Sequence, residues 1–226
     1  MEHMEQYQQI IHIIALTLGI SWASGINLYA SMLMLGLLGA VGYIDLPPGL
    51  EILSDPLVIS AAGLMYAVEF FADKMPGVDS TWDGLHTFIR IPAGAVLAAG
   101  AVSEVGPAAQ LAAAIVGGTI ATGAHFTKAG SRLLINTSPE PATNWAASIT
   151  EDAVVIGGLW MALSHPPLSI ALALVFIALM IWLLPRLWRA IMRVFGRLGQ
   201  WLSQTSVLPL AVHSEPLRRL SSGNAN

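Results

Sequence analysis

Apolar residues run in long blocks along this chain, roughly over positions 10–44, 57–72, 91–103, 108–135, 142–163 and 168–185. Between the blocks stand short polar stretches rich in turn residues: "DLPPG", "SDP", "MPG", "GP", "SPEP" and "SHPP". A helix needs about 20 apolar residues to cross the ~30 Å hydrocarbon core of a bilayer. The third block is shorter, and its helix can start earlier, near Leu85. Several blocks open on proline, which a helix accepts in its first turn because the missing N–H has no partner there anyway. The pattern predicts an all-α, polytopic transmembrane helical bundle of about six spans.

The first block does not fit one simple span. At about 1.5 Å per residue its length would reach on the order of 50 Å, well beyond the core. It must be strongly tilted, broken, or folded into a hairpin, and the hairpin would give seven spans with the N-terminus outside. A weak internal repeat bears on where a break would fall. "GISWASGIN" (19–27) aligns with "GGTIATGAH" (117–125), matching Gly25 with Gly123 and Asn27 with His125. Each copy lies in the overlong block that opens its half of the chain. Each half continues with an acidic-Pro helix start, Asp55–Pro56 and Glu140–Pro141, and with a third span opening on Pro92 or on Pro166–Pro167. Three spans per half give the second half the opposite orientation, the inverted-repeat plan of many transporters. The halves are 1–103 and 104–185, with a basic amphipathic tail at 186–226. The small residues Ala109, Ala113, Gly117 and Ala121 also have a plain use, since they let membrane helices approach closely.

Composition agrees with the membrane reading. Of 226 residues, 55% are hydrophobic and 11% charged, and the mean hydropathy is +0.66, against about 25% charged residues in soluble domains. The absence of cysteine excludes disulfides and thiolate sites. The N-terminus has Glu2 and Glu5 and no basic residue before its apolar run, so it is expected to be retained rather than cleaved as a signal peptide. The ten Lys and Arg residues all fall on one predicted side: Lys74 and Arg90, Lys128 and Arg132, and Arg186, Arg189, Arg193, Arg197, Arg218 and Arg219 in the tail. The positive-inside rule then places both termini in the cytoplasm, and the expected location is a bacterial inner (plasma) membrane. The tail arginines alternate with Leu187, Ile191, Val194, Phe195 and Leu198, as in a helix lying on anionic lipid rather than a nucleic-acid site. A homo-oligomer stays open.

Several polar residues sit where a bilayer would make them costly. Glu151 and Asp152 lie about 15 Å into the fifth span, where an acidic residue costs about 2.5–3.5 kcal/mol and usually faces a cavity or a partner. A later helix start would instead leave the pair at the interface. Glu69 and Asp73 share one helix face at the end of the second span. Asp79, Asp83 and His86 also share a face, which suits either a divalent cation or the polar side of a surface helix. Lys128 and Arg132, four apart, repel each other and need compensation from carboxylates, phosphates or water. "NTSPEPATN" (136–144) reads as a capped turn.

The stretches "FFADKMPGVDSTWDGLHTFIRIPAGA" and "KAGSRLLINTSPEPATNWAASITEDAVV" resemble the two signature segments of an uncharacterised integral membrane family, the domain of unknown function 4126. The resemblance extends to about residue 185 and leaves out the basic tail. It implies a membrane protein and no particular substrate, and it marks these two stretches as candidate sites. The leading functional reading is a small transporter or channel-like permeation protein for an ion or a small, anionic or lipid-like solute. Its pathway would hold Asn27, Glu69, Asp73, His125, Lys128, Arg132, Glu151 and Asp152, with helix breaks at Gly25 and Gly123. The alternatives are a non-catalytic membrane scaffold, or a metal-dependent enzyme acting on a phosphorylated lipid through Asp79, Asp83 and His86. No cofactor is expected beyond that divalent cation, and no catalytic residue is assigned.

Overall fold

The computed structural model describes residues 2–75, 77–137 and 141–205, without the side chains of 2, 141 and 194–205. Among them the chain is all helical: α1 (Glu2–Ile26), α2 (Leu28–Ala40), a 3-10 segment (Pro48–Ser54), α3 (Pro56–Ala72), α4 (Val78–Ala101), α5 (Pro107–Ile135), α6 (Pro141–Ser164) and α7 (Pro166–Thr205). Residues 1–191 form one compact unit and 192–226 a second. Of the second, the helical backbone to Thr205 and the side chains of Met192 and Arg193 are described, so the side chain of Arg197 and all of Arg218 and Arg219 lie outside the described residues.

Local chemistry explains the boundaries. The Asp55 carboxylate accepts the Leu57 N–H at 2.8 Å, and Pro56 follows in the first turn of α3. Gly106, at φ +124°, makes a sharp turn into Pro107 that residues with a Cβ rarely adopt. Asn27 is extended, and its side-chain oxygen accepts the Ala30 N–H at 2.9 Å. The first overlong block is therefore interrupted at Asn27, with the start of α2 capped. The second copy of the repeat is not interrupted, because α5 runs unbroken through Gly123 and His125. Gly123 serves packing instead: a Cβ there would collide with the side chain of Met180 on α7.

Two further boundaries differ from the sequence expectation. Pro92 lies inside α4 rather than opening it. The helix continues upstream because its polar face from Asp79 to Arg90 is buried in the bundle rather than left in a loop. Pro185 likewise lies inside α7, which continues past residue 186. Four helices are long and apolar enough to cross a membrane, and the 3-10 segment with α3, bent by 69°, makes a fifth candidate. Helix α4 has a similar length but carries the charges described below.

Burial follows the membrane pattern. Arg90 and Arg132 are 0% exposed, whereas Phe88 is 81% and Leu57 77% exposed. Charged groups inside and large apolar groups outside suit a lipid surround. The interior contact between α1, α4 and α5 is built from small residues. A Cβ on Gly25 would strike the Ala121 carbonyl, and one on Gly117 would strike Ala98 and the Ser21 hydroxyl. The two similar stretches thus lie against each other.

Gly25→Val should lower the thermal midpoint of the detergent-solubilised protein by the equivalent of about 1–3 kcal/mol, the usual cost of overpacking. Gly157→Ala, whose added Cβ would meet nothing within 4 Å, should leave it unchanged or higher. Both midpoints can be read from the loss of the monodisperse chromatographic peak on heating.

Candidate functional site

The ends of α3 and α5 and the beginnings of α4 and α6 meet on one side of the bundle, where their charged side chains pair. Each helix brings charge inward. Glu69 and Asp73 come from α3, Asp83 and Arg90 from α4, Lys128 and Arg132 from α5, and Glu151 from α6. The spacings of four (69/73 and 128/132) and seven (83/90) put each pair on a single helix face.

Lys128 is the hub. Its Nζ lies 2.9 Å from Asp73 Oδ2, 3.3 Å from Glu69 Oε1, and 3.7 Å from both Asp83 Oδ1 and Glu151 Oε2. Arg90 donates to Glu69 and, at 2.9 Å, to Asp83. Arg132 grips Glu151 with a two-point fork at 3.0 and 2.8 Å, and its third nitrogen donates to the backbone carbonyls of Asp73 and Asn144. Three cations therefore face four carboxylates, an excess of one negative charge. The outer ring does not relieve it, because Asp79 and Asp152 add two buried carboxylates and Lys74 adds one cation. Three carboxylate oxygens (Glu69 Oε2, Asp73 Oδ1 and Asp83 Oδ2) are buried with no protein donor. Glu151 is the most open of the four, its side chain 20% exposed against 0–3% for the others.

Further polar side chains frame the network. His86 Nδ1 faces the Trp82 carbonyl at 2.9 Å and must donate to it, so Nε2 accepts from the Tyr29 hydroxyl at 3.1 Å. Thr87 gives its proton to the Asp83 carbonyl at 3.0 Å, so it accepts from His125 Nε2–H at 2.7 Å. This leaves the His125 Nδ1 lone pair toward Arg90, 3.4 Å away. Asp152 accepts from the Asn27 amide at 2.9 Å and from the Tyr66 hydroxyl at 3.3 Å, and the first of these bonds ties the interruption after α1 to α6. Lys74 is buried over the Phe70 ring and donates to Ser148 at 3.2 Å.

The site residues expected from sequence fall into groups. Glu69, Asp73, Lys128, Arg132 and Glu151 converge directly. Asp152 and Asn27 form a second pair, and His125 flanks Arg90. Lys128 and Arg132 are buried and held by carboxylates, so they are neither snorkelling to an interface nor free to clamp a phosphate. With Lys74 and Arg90 they are four basic residues that do not serve as exposed loop charges. Asp79, Asp83 and His86 do not converge: Asp79 accepts from Asn136 at 2.8 and 3.0 Å, Asp83 pairs with Arg90, and His86 is held by Trp82 and Tyr29. Among the described residues no three His, Asp or Glu side chains come together as a metal-ligand set.

Arg90 is the network member that sequence reasoning left among loop charges. Its signal was present: it extends the face of Asp79, Asp83 and His86 by one more turn and sits within the apolar "TFIRIP". Asn144, Ser148, Tyr29 and Tyr66 carry no sequence signal that separates them from ordinary helix residues.

The fold and this charged interior define a multi-pass helical membrane protein with an ion-pair network enclosed by four of its helices. Its family follows from comparison: residues 14–186 match the model described as Domain of unknown function (DUF4126), and the chain belongs to that family. No curated protein and no solved structure matches it.

Lys128→Met leaves the carboxylates facing only two arginines and should cost about 3–5 kcal/mol of stability, as for one partner lost from a buried pair. Lys128→Met combined with Asp73→Asn restores the original charge excess and should recover much of that loss. Thermal midpoints of the two variants in detergent check this.

Proposed function

We propose that this protein is a small transporter or channel-like permeation protein and that the network around Lys128 carries a proton across part of the membrane. The observation that supports it is the one unmatched negative charge among these seven groups, all but Glu151 at most 3% exposed. An uncompensated buried charge costs several kcal/mol. A proton removes that cost without requiring a set of converging ligands. Lys128 is within reach of all four carboxylates, so a proton can pass between them with little change in their surroundings. Glu151, the most exposed member, is the point of entry. Asp152, the next residue, holds Asn27 where the first helix is interrupted, and that interruption is the element whose position the charge state would bias.

In this reading the chain crosses a bacterial inner membrane about six times, with α4 as a span whose charges are neutralised inside the bundle. The segments 1–103 and 104–185 are two inverted halves, both termini are cytoplasmic, and the arginines after residue 185 rest on anionic lipid. An anionic solute bound by Lys128 and Arg132 has less support, since carboxylates already hold both. The metal-enzyme reading gains nothing from Asp79, Asp83 and His86, each of which has its own protein partner. A scaffold explains the density of pairing but not the excess charge.

Purified protein in proteoliposomes should dissipate an imposed pH gradient faster than empty vesicles. Glu151→Gln removes the group that takes up the proton and should slow this by about tenfold or more. A wild-type rate equal to that of empty vesicles, or a variant rate equal to wild type, would overturn the reading.

A further inference from the structure

The interruption at Asn27 leaves main-chain groups without partners. The Asn27 N–H still closes α1 on the Ala23 carbonyl at 2.9 Å, but no hydrogen-bonded turn spans Asn27 itself. The carbonyls of Ser24, Gly25 and Ile26 therefore receive no N–H from the start of α2, and no described side chain donates to them. The N–H groups of Leu28 and Tyr29 are left open in the same way, whereas those of Ala30 and Ser31 bond to Asn27. Ser24, Gly25, Asn27 and Leu28 are all buried. At membrane depth such backbone persists only where something other than lipid satisfies it.

Asp152 lies against this break. It is 8% exposed, and both its oxygens accept hydrogen bonds, from the neutral Asn27 amide and Tyr66 hydroxyl. No described basic side chain pairs with it. Lys74 donates to the Phe70 carbonyl and to Ser148, while Arg90, Lys128 and Arg132 hold the carboxylates of the network. Asp79 also lacks a cation, but it accepts the N–H groups of Gly77 and Ser80 and the Asn136 amide in the first turn of α4, where the helix dipole favours an anion. Asp152 sits in the middle of α6 and has no such help. A buried charge needs a counter-charge or a bound ion.

We infer that the break at Asn27 binds a monovalent alkali-metal cation, held by the Asp152 carboxylate and by the carbonyls of Ser24, Gly25 and Ile26. The C-terminal end of α1 adds the negative pole of its dipole. Hard oxygen ligands carrying one formal charge match such an ion, and interrupted membrane helices offer their carbonyls to cations in this way. The open N–H groups of Leu28 and Tyr29 would suit an anion, but Asp152 repels one. Water can bridge the main-chain groups yet brings no charge, so it leaves Asp152 uncompensated. The inference rests on the break and on Asp152, outside the Lys128 network, and does not depend on the proton reading.

The test is equilibrium binding of radioactive sodium to the full chain in detergent, with choline chloride holding the ionic strength constant. The wild type should bind sodium saturably, and unlabelled sodium or potassium chloride should displace it where more choline chloride does not. Asp152→Asn keeps the size of the side chain and the oxygen that accepts from Asn27. It should weaken binding at least about tenfold, whereas Asp79→Asn should leave it within about twofold, since affinity follows the charge of the ligand set. The wild-type result and the Asp79→Asn result stand whether or not Asp152→Asn folds. No saturable binding by the wild type, displacement by choline, loss of binding in Asp79→Asn, or wild-type binding by Asp152→Asn would overturn the inference.

Discussion

A lysine ammonium enclosed by four carboxylates is the constraint around which this bundle is organised. Removing charges from water is so costly that each must find its counter-charge inside the protein. Only α4 carries a balanced pair of these residues. Helices α3 and α6 contribute only carboxylates to the core of the network and α5 only cations, while α4 contributes one of each. The ends of α3 and α5 and the starts of α4 and α6 are therefore held together by charge as much as by packing.

The remaining contacts make this arrangement possible. With apolar side chains facing outward into lipid, the hydrophobic effect does little to draw one helix to another, and close backbone approach does more. Gly25, Gly94 and Gly117 let α1, α4 and α5 touch through Ala121, Ala98 and the hydroxyls of Ser21 and Ser24. These small-residue contacts stand beside the network without adding charged groups of their own. Asn27 joins the two regions, since it caps α2 with its oxygen and reaches Asp152 with its nitrogen.

Much of the fold was legible because it follows directly from hydrophobic length. The apolar blocks and their proline-bearing starts marked most of the helices, and the excess length of the first block pointed to an interruption, which falls at Asn27. Pro92 misled because proline so often opens a helix, whereas here the upstream polar face is buried and the helix begins at Val78. Gly123 misled for a related reason: an alignment cannot separate a glycine that breaks a helix from one that admits a neighbour, and Met180 occupies the space beside it. Within the site, residues conspicuous by charge in apolar surroundings were found, including Glu69, Lys128, Arg132 and Glu151. Their pairing was not legible, because an i, i+4 spacing fixes a face and says nothing about which helix that face meets. Arg90 and the metal-like trio of Asp79, Asp83 and His86 show the consequence, since α4 turns this one face to several different partners.

The central claim is that the four carboxylates hold one charge more than the three cations can balance, and that a proton makes up the difference. Infrared spectroscopy of the reconstituted protein at neutral pH tests this most directly, by comparing the protonated-carboxyl stretching band of the wild type with that of Asp73→Asn. The account predicts one protonated carboxyl in the wild type that is missing in the variant, where neutral Asn takes over the proton's role. Identical spectra in this region, with every network carboxylate ionised in both proteins, would contradict it.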